Sequence, residues 1–146
     1  MLIIVGRDDD ARVAWRTIAE LFLSDANHDR FHLAAEAAGV AHPGALKLLL
    51  ALDVHDPPSM RELAESMRCD ASWVTSLVDA LEEPGLADRV VSPTDRRVKR
   101  VQITEAGVAA KDRAMDVLST PPKAMDRLSA AETRTLAAIL RRLAGD

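Results

Sequence analysis

SMRELAESMRCDASWVTSLVDALEEPGLADRVVSPTDRRVKRVQITEAG, running from Ser59 to Gly107, decides the fold. It opens with Ser59-Met-Arg-Glu62, the S-x-x-E arrangement in which the serine and glutamate side chains each satisfy a free backbone N–H at a helix start. Leu63, Ala64 and Met67 give the short helix that follows a buried side. After Arg68 and Cys69, Asp70 can cap a second helix. There Val74, Leu77, Val78 and Leu81 recur at i, i+3, i+4 and i+7 and so share one apolar face. The two or three residues between the helices leave no room for a wandering loop. Pro84-Gly85 ends the second helix. Leu86 to Val91 and Val98 to Thr104 can then pair as a hairpin across Ser92-Pro-Thr-Asp95. Val101 and Ile103 alternate with Arg100, Gln102 and Thr104 at the period of a half-buried strand. Helix, tight turn, helix and hairpin, in that order, predict a winged helix-turn-helix.

Outward from this block the chain reads as helices. Asp8, Asp9 and Asp10 suit a helix start, and Val13, Ala14, Trp15, Ile18, Leu21 and Phe22 trace a broad apolar stripe that ends near Ser24-Asp25-Ala26-Asn27. Helix resumes through Phe31, Leu33 and Ala35 to a stop at Gly39. Pro43 suits the first turn of the next helix. That helix carries Leu46, Leu48, Leu49, Leu50 and Leu52, is apolar on nearly every side and should lie inside; Asp56-Pro57-Pro58 is expected to end it. On the other flank, Thr104 can cap a helix to about Leu118, and Ser119-Thr-Pro-Pro122 breaks it. A second S-x-x-E, Ser129 to Glu132, opens a last helix with Leu136, Ile139, Leu140 and Leu143 at helical spacing. The fold class is therefore mainly α with a small β-hairpin. Residues 1–146 read as one domain: a winged helix-turn-helix over about 43–104, flanked by helices over about 8–38 and 105–146. The two outer helical regions offer more apolar surface than one small reading head needs, which predicts that they are dimerisation helices of a homodimer.

The whole chain carries a net charge of −4, which excludes a protein coated in basic patches. The sign is not uniform. The first 56 residues hold nine acids and five bases, whereas Arg89 to Arg100 holds five bases (Arg89, Arg96, Arg97, Lys99, Arg100) and one acid, Asp95. With screening over roughly 8–10 Å at physiological salt, a phosphate beside that run feels it more than the distant acids. Cys69 is the only cysteine, so no intrachain disulfide can form. The apolar start Met-Leu-Ile-Ile-Val-Gly lacks a basic flank and is shorter than a signal core, and no apolar run approaches the ~18 residues of a membrane span. A soluble, cytoplasmic protein with no membrane association is expected.

The candidate chemistry is recognition. Opposite the apolar face of the second helix, Ser72, Thr75, Ser76 and Asp79 point away from the core, with Trp73 on a flank. A solvated helix usually carries long charged side chains there. This face is small and mostly hydroxylic, so a nucleic-acid backbone can approach it and hydroxyls can meet base edges or phosphates. In the wing, Arg97 near the tip suits a narrow minor groove. Arg96, Lys99 and Arg100 can neutralise flanking phosphates, and Asp95 is expected to orient a neighbouring guanidinium. Double-stranded DNA is the partner these residues imply; a winged-helix module that binds protein or ligand without DNA is the alternative. His28 and His32 have the i, i+4 spacing of metal ligands on one helix, with Asp25 and Asp29 nearby, but two further ligands cannot be named, so no metal is assigned. Cys69, in the turn before the second helix, reads as a packed residue, with an oxidation-sensitive position that disturbs docking as the alternative. A small-molecule effector pocket, if built, should lie between the outer helices and the reading head, where Trp15, Phe22, Phe31 and Met60 could line it. No P-loop, G-x-S-x-G, HExxH or Cys–His pairing is present, so neither an enzyme nor a cofactor is expected.

Leu63-Ala-Glu-Ser-Met67, Val74-Thr-Ser-Leu-Val-Asp-Ala-Leu-Glu82, Gly85-Leu86, Asp95-Arg-Arg97 and Ile103-Thr-Glu-Ala-Gly107 resemble the MarR family of bacterial transcription regulators. The matching block covers about fifty residues, and the D-x-R wing followed by L/I-T-x-x-G is its most specific combination. The resemblance implies a homodimer built from N- and C-terminal helices, palindromic DNA and an effector-released repressor. It also implies Asp95 and Arg97 as the wing pair and Ser72 to Asp79 as recognition helix. Two positions depart from the pattern. Pro84 stands where many relatives have a basic residue, and the recognition helix has bulky Trp73 and no Lys or Arg, so no bidentate guanine reader is evident.

Overall fold

Ala45, Leu46, Leu48 and Leu49 are all buried on helix α3 (Pro43–Ala51), around which the rest of the chain is arranged. The computed structural model describes residues 7–145, without the side chains of Arg7, Asp8, Phe22, Asp25, Ala26 and Asn27. The apolar Met1–Gly6 start therefore lies outside the described residues, and the Phe22 side chain of the first stripe outside the described side chains. Before α3 come α1 (Arg7–Phe22) and α2 (Asp25–Ala38). After it come α4 (Met60–Met67), α5 (Ala71–Glu82), strands β1 (Ala87–Val91) and β2 (Lys99–Ile103), α6 (Glu105–Ser119), a 3-10 turn (Lys123–Arg127) and α7 (Ala130–Ala144). Asp9 and Asp10 fall inside α1, not ahead of it.

The local rules hold at most boundaries. Gly39 ends α2 in the left-handed region, at φ 73°, where only glycine pays no side-chain penalty. Pro43 starts α3, with His42 as its N-cap accepting the Ala45 N–H. The end of α3 is a correction. The helix stops at Ala51 instead of running on to Asp56-Pro57-Pro58, because the Asp53 carboxylate accepts from the backbone N–H of His55 (2.7 Å) and of Asp56 (3.3 Å). That local turn competes successfully with the next helical turn.

Small side chains set the packing of α2 on α6: the buried residues Ala34, Ala35 and Ala38 of one and Gly107, Ala110 and Ala114 of the other let two backbones come close. Three cations then close helix ends. Arg113 donates to the Ala37 carbonyl (2.8 Å), Lys111 to that of Leu52 (2.9 Å), and Arg30 to those of Val117 and Thr120. Each places positive charge where free carbonyls give a helix C-terminus its partial negative charge. The hairpin is antiparallel, with Ala87 opposite Ile103 and Val91 opposite Lys99. Its free edge is joined by the segment before α4: Val101 N–H donates to the Pro58 carbonyl (2.8 Å), and Ser59 bridges to Arg100. The reading head is thus tied to its wing at the base.

Candidate nucleic-acid interface

Helix α4 begins with the expected reciprocal cap: Ser59 Oγ accepts the Glu62 N–H (3.2 Å) and Glu62 Oε2 accepts the Ser59 N–H (2.7 Å). It ends at Arg68, in the left-handed region at φ 52°. The turn to α5 is Arg68-Cys69-Asp70, and Asp70 Oδ1 accepts from the Trp73 N–H (2.8 Å) and the Ser72 hydroxyl (2.6 Å). The Ser72 hydroxyl first, then the Trp73 N–H, holds this carboxyl below its ordinary value of 3.8. The positive end of α5 is therefore already occupied by an anion of the chain itself.

Val74, Leu77, Val78 and Leu81 are fully buried, and Ser72, Thr75, Ser76 and Asp79 are exposed, as the periodicity requires. The hydroxyls are not idle. Thr75 Oγ1 donates to the Ala71 carbonyl (2.9 Å) and Ser76 Oγ to that of Ser72 (3.2 Å). With their protons turned back into the helix, they present lone pairs outward, which suits amino donors on base edges better than phosphate oxygens. Trp73 is half exposed and stacks on His42, with ring centroids 5.9 Å apart at 28°. The bulky departure in the recognition helix is thereby braced against the cap of α3.

The five bases of the wing region divide by orientation. Arg89 turns inward. Its guanidinium pairs with Asp79 (2.7 Å) and Glu82 and donates to the Thr75 carbonyl (3.2 Å). It thus clamps β1 to α5, and Asp79 has an internal partner on the face assigned to DNA. Arg100 also serves the fold: its Nη1 donates to the Pro57 carbonyl (2.6 Å) and lies 3.7 Å from Asp56. Arg96, Arg97 and Lys99 are exposed. The tip that carries the first two is ordered by Ser92 N–H on the Val98 carbonyl (2.9 Å) and Val98 N–H on the Asp95 carbonyl (3.0 Å). Asp95 differs from expectation: its carboxylate accepts the backbone N–H of Arg97 (2.9 Å), not a guanidinium. It shapes the turn that aims the Arg97 side chain.

Between α4, α5 and the hairpin lies an open cleft of about 670 Å³, lined by Met60, Ala64, Thr75, Asp79, Arg89 and Lys99 among others. Of the four side chains expected to line an effector pocket, only Met60 borders it. Phe31 packs on the main core, Trp15 is exposed on α1, and Phe22 lies outside the described side chains. Sequence periodicity missed this cleft because its walls come from elements brought together by tertiary contacts. Among the described residues no helix is long and apolar enough to cross a membrane.

A model of the MarR family matches residues 43–99, from the start of α3 to the start of β2. A protein of Thauera aromatica, named for transcriptional regulation of the hcr operon, is 36% identical over 102 residues, covering 69% of this chain and 61% of its own length. The chain spans about half the length of the curated relatives it matches. Among solved structures, the YusO protein of Bacillus subtilis superimposes with a TM-score of 0.67 at 26% identity, over 96% of this chain and 98% of that one. Apo wild-type MarR of E. coli, at 21% identity, shares the fold with a TM-score of 0.64 over 80% and 89% of the two chains. The match to the MarR family model thus spans the helix-turn-helix and the first part of the wing, and relatives similar to this chain are named as transcription regulators.

Proposed function

We propose that this protein is a homodimeric, sequence-specific DNA-binding transcription regulator, acting as a repressor by covering a promoter and released by a small-molecule effector. One observation carries the reading: a recognition helix whose outer face is small and hydroxylic stands beside a wing tip that aims Arg96 and Arg97 into solvent. Ser72, Thr75 and Ser76 would approach base edges in the major groove, with Trp73 at the flank. Arg97 would enter the minor groove, and Arg96 and Lys99 would meet phosphates. Asp95 would act through the turn. Asp79 and Arg100 would act through Arg89 and the Pro57 carbonyl, holding the interface in shape.

The outer helices, 8–38 and 105–146, would pair two copies and set their heads on half-sites of a palindrome about one helical turn apart. An effector would work only through different affinity for two head arrangements. The cleft beside Arg89 and Lys99 is a suitable place, since a ligand there would touch both the recognition helix and the wing. The relatives' names support regulation over catalysis, and the function needs neither cofactor nor active site.

Fluorescence anisotropy on duplex DNA from upstream of the protein's own gene, across a salt series with random competitor, tests the reading. Saturable, competitor-resistant binding is expected. Arg97→Ala should weaken it on every sequence and reduce the salt slope by about 0.9. Ser76→Ala should instead change sequence preference, and equal loss on all duplexes would remove its base-reading role. Absence of binding even at low salt would put a protein- or ligand-binding module first, a reading favoured by the recognition helix's lack of Lys and Arg.

A further inference from the structure

Helix α2 carries His28 and His32 one turn apart, both exposed, with their Nε2 atoms 3.2 Å from each other. The rings meet edge to face, centroids 4.8 Å apart at 64°. An imidazole nitrogen is a donor or an acceptor, so two Nε2 atoms this close hold together only with a proton between them or with something in its place. A metal ion fits. With metal–nitrogen bonds of ~2.0–2.1 Å, a separation of 3.2 Å subtends about 100–106° at the ion, close to tetrahedral. Spacing alone left the pair unassigned; the structure adds two ring nitrogens that share a hydrogen bond at the bite distance of a single ion.

We propose that His28 and His32 form a two-point binding site for a divalent late first-row transition metal of the zinc, copper and nickel class. Imidazole nitrogen is the donor those ions favour. Among the described residues no group of three or more His, Cys, Asp or Glu side chains is gathered for a metal. Water completes the coordination, and the site is weaker than a four-ligand structural one.

The location gives the site a structural effect. Ser24, the N-cap of α2, makes no side-chain capping bond. A chelate across residues 28 and 32 forms only while that segment is helical, so binding stabilises it by mass action. Arg30, between the two histidines, reaches the Val117 and Thr120 carbonyls at the end of α6. The turn that the metal ties is the turn that latches α6.

The test is titration of the purified full chain with Zn2+ against a competing chromophoric chelator, repeated with Ni2+ and Cu2+, with thermal unfolding in parallel. One ion per chain is expected, together with a Zn2+-dependent rise in Tm. His28→Ala and His32→Ala should each weaken binding by at least the roughly tenfold that loss of even an outer-shell partner costs, and abolish the Tm rise. His42→Ala, His55→Ala and Cys69→Ser should bind as the parent does. The double change His32→Ala with Leu33→His keeps the number of histidines but moves the second off the i, i+4 position, and should bind like the single loss. The positions are exposed, so circular dichroism should show all variants folded. No saturable uptake of any of the three ions by the parent chain would overturn the proposal. So would affinities of His28→Ala and His32→Ala within twofold of the parent, or parental affinity in the shifted variant. None of these outcomes depends on DNA binding.

Discussion

At Gly107 the deciding neighbour is a backbone carbonyl: a methyl group there would land on the oxygen of Leu86 and against Ile103 Cγ1. Thr104 makes the same joint from its other side. Its hydroxyl donates to the Gly85 carbonyl (2.7 Å) and accepts the Gly107 N–H (3.0 Å), while its own N–H donates to the Leu86 carbonyl (3.1 Å). Gly85-Leu86 and Thr104-x-x-Gly107, two motif fragments in sequence, are one contact in space that fixes the hairpin between α5 and α6. Gly107→Ala should therefore destabilise the protein by about 1–3 kcal/mol through overpacking against atoms that cannot give way. Gly85→Ala should cost about 1 kcal/mol for a different reason, since its surroundings are open but its φ is +73°. Urea unfolding midpoints would check both, and a Gly107→Ala protein as stable as its parent would show that α6 can slide away from Leu86. The wing arginines separate in the same measurement. Arg100→Ala should cost roughly 1 kcal/mol or more by stripping the Pro57 carbonyl of a charged donor. Arg97→Ala, at an exposed tip, should leave the midpoint unchanged while weakening DNA binding.

At the scale of elements, helices α4 and α5 depend on charged caps, and this gives their stability a pH dependence. The Ser59 N–H first, then the Ser59 hydroxyl, holds the Glu62 carboxyl below its ordinary 4.5, and Asp70 is held below 3.8 in the same sense. A carboxyl lowered on folding contributes stability that is full above its unfolded value and is lost as pH falls through its folded one. Both contributions should therefore be present at neutral pH and fade in the acid range, Glu62 from about pH 4.5 downward. Glu62→Gln keeps the reciprocal cap but not the charge, so its Tm should lie below the parent's at pH 7 and converge on it at low pH. A constant difference across that range would mean that the charge contributes nothing. These caps, like the breaks at Gly39 and Pro84-Gly85, were legible because the signal lies within four residues of the effect. The buried face of α5 was legible for the same reason. What escaped the sequence is long-range: Arg89 reaches back to Asp79 and Glu82, Arg100 to Pro57, and the segment at Pro58 and Ser59 joins the edge of the hairpin. An arginine in a basic run carries no local mark of which way it will turn. The early end of α3 escaped because its leucines continued to Leu52, while Asp53 acts one residue beyond them.

Among the described residues most of the large exposed apolar side chains lie on the first and last helices or just beside them. Val13, Trp15, Leu21 and Leu23 are each more than half exposed on or just after α1, and no residue of α7 is buried although Ile139, Leu140 and Leu143 line one side of it. A run of apolar side chains at helical spacing, left uncovered on two separate helices, is more than the scattered exposure every protein shows and supports the proposed pairing. In the proposed homodimer a second copy of this chain would cover both at once, because a two-fold axis presents each helix to its own counterpart or to the other. The proposed pair would then place two heads on one face of a duplex, each offering Arg96 and Lys99 to phosphates and Arg97 to the minor groove. The double change Leu140→Glu with Leu143→Glu tests this without touching the core, since both side chains are exposed within the chain. Sedimentation equilibrium should show a folded monomer, and its affinity for a full palindrome should fall to that for one half-site. Arg97→Ala should weaken DNA binding yet sediment as a dimer, which separates loss of pairing from loss of contact. A dimer of parental affinity in the double variant would move the interface away from α7, and the uncovered stripe of α1 would be the next surface to change.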